Sequence, residues 1–153
     1  MEWLRSILDL AEMITGLSNQ VRGNRAIKAQ LIRELKLNLK AYEVQRRRGL
    51  TDFDMLLNQM SNKVMKHQIQ SGYNFRRINN GVITEQHIRD QRNSRYLGKD
   101  CQWLFSNIDI KIEELRLLQQ CTPGGLRNAS GANLSLQFSN LFFKIRLLAD
   151  FVH

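Results

Sequence analysis

A chain of 153 residues with 42% hydrophobic and 24% charged side chains can bury one core of ordinary size. It is too short for a second full domain and too apolar for wholesale disorder. Lys and Arg number 23 against 14 Asp and Glu, and a formal net charge of +9 makes a polyanion the natural partner.

The charge is unevenly placed. Residues 20–48 hold nine Lys/Arg against Glu34 and Glu43, net +7, and residues 63–99 hold eight against Glu85 and Asp90, net +6. One proline and nine glycines among many Leu, Ile, Arg, Lys, Gln and Glu favour helix.

In chain order, Trp3, Ile7, Leu10, Ile14, Leu17 and Val21 recur at alternating steps of four and three, the period of an amphipathic helix. Gly16 and Gly23 are expected to bend or end it. A second helix is predicted from about Asn24 to Arg47, with Ile27, Leu31, Leu35, Leu39 and Tyr42 on one side and Gly49 as its stop. Thr51 and Asp54 read as a capping box, with Leu50 and Met55 as a hydrophobic staple. They open a third helix that buries Phe53, Leu56, Leu57, Met60 and Val64 and runs to about Gln70.

Ser71 to Ile83 is irregular, and Thr84 is expected to cap a short helix from Glu85 to about Arg95. After Leu97-Gly98, a long helix from about Lys99 to Gln120 buries Cys101, Leu104, Phe105, Ile108, Ile112, Leu115 and Leu118. Residues 121–133 form a flexible connector with the only proline and three glycines. The last helix, Leu134 to Val152, repeats the opening seam with Leu134, Phe138, Leu141, Ile145, Leu148 and Val152. No stretch alternates as a strand does. The expected fold is all-α: a single-domain bundle over 1–153 of four to five long helices with a flexible Arg-rich central segment.

Cys101 and Cys121, on one helix roughly 30 Å apart, cannot pair with each other and read as buried, reduced thiols. Glu2, Arg5, Asp9 and Glu12 interrupt residues 1–17, unlike a signal-peptide core, and no run is apolar enough for a membrane span. A cytoplasmic location is the expectation, with the sequons at Asn128 and Asn133 as chance matches.

On a wheel of 100° per residue, Arg22, Arg25, Arg33, Lys36, Lys40 and Arg47 fall within roughly 80° of one another, on a ridge about 37 Å long. Such a ridge can neutralise successive phosphates, and Arg46, Arg47 and Arg48 could fork around one. A solvated face, with Glu43 pairing Lys40 or Arg47, has the same pattern. In the central segment, Tyr73 and Phe75 beside Arg76 and Arg77, followed by Arg89, Arg92 and Arg95, could stack bases and hold phosphates. The bland alternative makes the two aromatics loop anchors. Residues 81–89 faintly resemble a turn and recognition helix presenting Glu85, Gln86 and Arg89.

Enzyme chemistry finds no motif. His67, His87 and His153 are scattered, no phosphate loop, HExxH or nucleophile elbow occurs, and Asp109, Glu113 and Glu114 read as a solvated acidic face. No catalytic residue, metal or cofactor is assigned. The leading expectation is a non-catalytic basic subunit or accessory protein that binds RNA or DNA backbone within a larger assembly. One alternative is a protein-interaction or oligomerisation module with an acidic partner. Another is a membrane-interacting effector using residues 3–21, although residues 1–19 are net −2.

Overall fold

In a computed structural model of the chain, the backbone is described from Glu2 to His153 and the side chains from Gly23 onward. Five α-helices carry the fold: α1 Glu2–Arg47, α2 Phe53–Gln59, α3 Lys63–Gln70, α4 Cys101–Cys121 and α5 Leu134–Val152. Three are long, at 46, 21 and 19 residues, while α2 and α3 have 7 and 8. No strand forms among the described residues. The all-α expectation stands; the expectation of four to five long helices is corrected to three long and two short.

A further correction concerns α1, which runs unbroken through Gly16 and Gly23. A helical glycine costs only about 1 kcal/mol relative to alanine, which the long flanking runs of helix formers can offset. The helix ends where a left-handed glycine can turn the chain. Gly49 has φ +85°, its N–H bonds Arg46 O at 3.0 Å, and the Leu50 N–H reaches Gln45 O at 2.9 Å. These two bonds form a Schellman motif with Gly49 at the position that favours glycine.

The expected third helix is split in two. Asp52, not Thr51, caps α2, accepting the Met55 N–H at 2.9 Å. Met60 then turns extended, and α3 starts three residues later. Neither proline nor glycine stands at this joint. Side chains from α1 and α4 hold it open instead, Glu34 and Asn38 from one side and Arg116 from the other.

The core centres on α5, which packs against α1 and α4. Its six seam residues are all buried, and Phe142, Leu147, Ala149 and Phe151 are buried with them, so its apolar surface is wider than the seam. Tyr42 of α1 stacks on Phe142 with centroids 4.3 Å apart. On α4 the expected face is buried from Cys101 to Leu115, with Leu118 half-buried. Cys121 is exposed at the end of that helix, against the expectation of two buried thiols. Burial, with Asp100 beside it, pushes the Cys101 thiol up to about 12.

The central segment holds no short helix from 85 to 95, only 3-10 turns at Phe75–Arg77, Glu85–His87 and Gln91–Tyr96. Although expected to be flexible, it is pinned to the core by buried Phe75, Ile83, Asn93 and Tyr96. Ile83 exchanges backbone bonds with residues 98–99, and the Asn79 amide donates to Phe151 O at 2.9 Å. The 121–133 connector is likewise tied down: Leu126 is buried, and its N–H donates to Asp54 at 2.8 Å. Asn133 caps α5 through the Leu136 N–H.

Candidate polyanion interface

The buried arc of α1 holds Leu31, Leu35 and Tyr42, and also Glu34, Asn38 and Gln45, which the apolar pattern did not mark. Residue steps of 100° put the centre of this arc opposite the basic ridge. Arg25, Arg33, Lys36, Lys40, Arg46, Arg47 and Arg48 are all exposed. Arg22, like the seam from Trp3 to Val21, lies outside the described side chains. Arg25 to Arg47 spans about 33 Å of helix axis. Among the described residues, none of the seven exposed cations has a carboxylate within 4.0 Å; Glu43 forms no ion pair with Lys40 or Arg47. Arg46 and Arg47 flank Glu43 in a shallow recess. Consecutive helical residues diverge by about 100°, so the three terminal arginines splay around the helix end and do not converge as one fork. Arg33 also lines a groove with Lys63 and exposed Leu37 between α1 and α3, which joins the two basic stretches at one point.

What holds this ridge outward is the polar joint beneath it. Glu34 accepts the Val64 N–H at 2.8 Å, the Met65 N–H at 3.0 Å and the Ser61 hydroxyl at 3.0 Å, capping α3 from another helix. Asn38 pairs with the Ser61 peptide at 2.7 and 2.8 Å. From the opposite side, buried Asn62 donates to Asp109 at 2.7 Å and to Glu113 at 2.8 Å and accepts from Arg116, whose guanidinium also bonds Met60 O at 3.1 Å. The Asn62 amide, with Lys66 and Arg116 nearby, holds the Glu113 carboxyl below its ordinary range against burial. Asp109 and Glu113 are thus structural, which corrects their reading as a solvated acidic face.

The central residues behave differently from a mobile base-stacking segment. Phe75 is fully buried against Phe105, with centroids 4.8 Å apart, so its ring has no free face for a base. Tyr73 is half-buried, packs edge-on against Phe75 at 5.2 Å, and hydrogen-bonds Asn24. Both are loop anchors. Arg92 braces the fold: it pairs with Asp90 at 3.1 Å, donates to Ser139 at 2.7 Å and lies 4.0 Å over the Phe143 ring. Arg76 reaches Asp100 at 3.5 Å and Arg89 reaches Asp150 at 3.9 Å, both arginines largely in solvent. Arg77 and Arg95 are exposed. Glu85–His87 is a single 3-10 turn, too short to serve as a recognition helix.

A second cationic feature escaped the sequence pattern. Lys144 sits within the expected seam region of α5, yet its ammonium is buried beside Asn107 and the Tyr96 ring. No described helix is long and apolar enough to cross a membrane. No family model, curated protein or solved structure matches this chain.

Proposed function

We propose that this chain is a non-catalytic helical accessory protein that binds RNA or DNA through backbone phosphates along the outer face of α1. The observation that carries this reading is the set Arg25, Arg33, Lys36, Lys40 and Arg47, exposed on one face and without carboxylate partners among the described residues. Glu43 is exposed on the same face, but among the described residues no Lys or Arg lies within 4.0 Å of it, so it pairs with none of them. Unpaired cations on a rigid helix instead offer phosphates charge contacts that release counterions, with no demand for a particular base. The pinned Arg-rich segment plays a smaller part, through Arg77, Arg95 and the loosely paired Arg76 and Arg89.

Fluorescence anisotropy with labelled RNA and duplex DNA of about 20 nucleotides tests this, since a ridge of this length spans several phosphates. Binding that weakens steeply with salt and falls in Arg33→Glu/Lys36→Glu supports the proposal; unchanged affinity in that variant removes it.

A second reading rests on the groove lined by Arg33, Lys63, Leu37 and Val64, which combines cations with exposed apolar surface. An acidic protein segment with one apolar anchor fits that mixture. Loss of protein binding, but not of nucleic-acid binding, in Leu37→Asp distinguishes it.

A further inference from the structure

Between the Gln91–Tyr96 turn, α4 and α5 lies a cleft of about 290 Å³, whose wall includes Arg95, Tyr96, Ile110, Lys111, Glu114 and Lys144. Three cations from three elements meet one carboxylate there, and Glu114 stands at the rim, 60% exposed and 3.8 Å from Lys111. Lys144 is only 7% exposed, and its ammonium donates to the Asn107 side-chain oxygen with the Tyr96 ring 5.6 Å away. It has no carboxylate within 4.0 Å among the described residues. A buried ammonium without a counter-ion is unfavourable unless something supplies the negative charge. Here the shortage of negative charge occurs at the floor of a half-open cleft, with Lys144 buried while Arg95, Ile110 and Glu114 on the wall are exposed.

We propose that this cleft binds a small phosphomonoester, with the phosphate among Lys144, Lys111 and Arg95 and the organic part against exposed Ile110. Three cations against one carboxylate leave an excess of two positive charges, which matches a phosphate dianion. Asn107 and Gln137 already accept from Lys144 and, at 2.8 Å, from Lys111, which leaves their amide N–H groups and Asn140 to donate on the same wall. The site uses no residue of α1, so it stands or falls separately from the ridge.

The groups facing Lys144 are Arg95 from the turn and Lys111 and Glu114 from α4, with Tyr96 beneath. Burial first, then Lys111 and Arg95, bring the Lys144 ammonium down to about 8. A bound dianion favours the charged form, so affinity falls as pH rises past that value.

Calorimetric titration of the full chain with inorganic phosphate and with ribose 5-phosphate, at constant ionic strength, tests the proposal. Saturable one-to-one binding is expected, tighter for ribose 5-phosphate, weakening from about pH 7 to about pH 9.5. Lys144→Met is expected to lose about tenfold or more in affinity. Lys111→Gln and Arg95→Gln, at more accessible positions, are expected to lose several-fold, and they decide the matter if Lys144→Met misfolds. Absence of phosphate binding, or binding unchanged in Lys111→Gln and Arg95→Gln, overturns the proposal. It is equally overturned if neither small phosphate binds while an oligothymidylate of about 20 nucleotides does and loses affinity in Lys111→Gln, because the cleft then belongs to a polynucleotide surface.

Discussion

Lys144 carries a charge into the core, and its titration has a signed consequence. Its folded-state value, about 8, lies below the ordinary 10.5, so between those values the unfolded chain binds more protons than the folded one. Stability contributed through this group therefore rises as pH rises through that window, and the penalty of the buried charge is fully present below it. Cys101 acts in the opposite sense above about pH 9, because its folded thiol holds its proton up to about 12. The clean window is thus about pH 8 to 9, in ligand-free buffer. Denaturant midpoints there are expected to rise with pH in the parent chain and to rise less in Lys144→Met. Two glycines make a second contrast at this scale. Gly23 is helical, and an alanine methyl there would meet nothing within 4 Å, so Gly23→Ala is expected to stabilise by about 0.5–1 kcal/mol. Gly49, at φ +85°, is expected to lose about 1 kcal/mol on substitution by alanine, read from the same midpoints.

Among the elements, the α2–α3 joint is where side chains outvote propensity. Periodicity continues from Phe53 through Val64, and an isolated chain could stay helical there. In the folded protein Glu34 and Asn38 on one side and Asn62, Asp109, Glu113 and Arg116 on the other form a network that takes over backbone groups a continuous helix would have used. Removing Glu34 or Asn62, both buried, leaves groups at the joint short of a partner: the Val64 and Met65 N–H groups in the first case, one Asp109 and one Glu113 bond in the second. Asn62→Ala and Glu34→Gln are each expected to destabilise by about 2–4 kcal/mol, measured by denaturant unfolding. Glu113, lowered chiefly by the Asn62 amide, contributes stability that is present above its unfolded value and lost as pH falls through the folded one. Below the ordinary value of 4.5, stability is therefore expected to fall more steeply with acid in the parent chain than in Glu113→Gln, which has no carboxyl to protonate there.

Across the whole molecule, burial and charge separate around α1. Its polar-joint side faces α2, α3 and α5, and its basic side faces solvent over about 33 Å. If the five described ridge cations each neutralise one phosphate, the slope of log affinity against log salt is expected near about −3.5 for single strands and about −4.5 for duplex DNA. Arg33→Glu/Lys36→Glu is expected to reduce it by about 1.4–1.8, because two of those contacts are gone. An affinity insensitive to salt contradicts ridge binding even if some nucleic acid is retained.

The sequence by itself determined the all-α class, the Gly49 stop, the bounds of α5, most of the buried face of α4 and the angular clustering of the basic ridge. Each follows from local periodicity, from a single backbone conformation, or from fixed rotation per residue. Only the tertiary structure decided the break at Met60–Asn62, the burial of Glu34, Asn38 and Lys144, the anchoring of Tyr73 and Phe75, and the bracing role of Arg92. These depend on partners 27 to 51 positions away in Glu34–Ser61, Asn62–Glu113 and Arg92–Ser139, beyond any helical period. A polar residue's burial is set by whether such a distant partner arrives to satisfy it, and the spacing of its own neighbours along the chain carries no record of that.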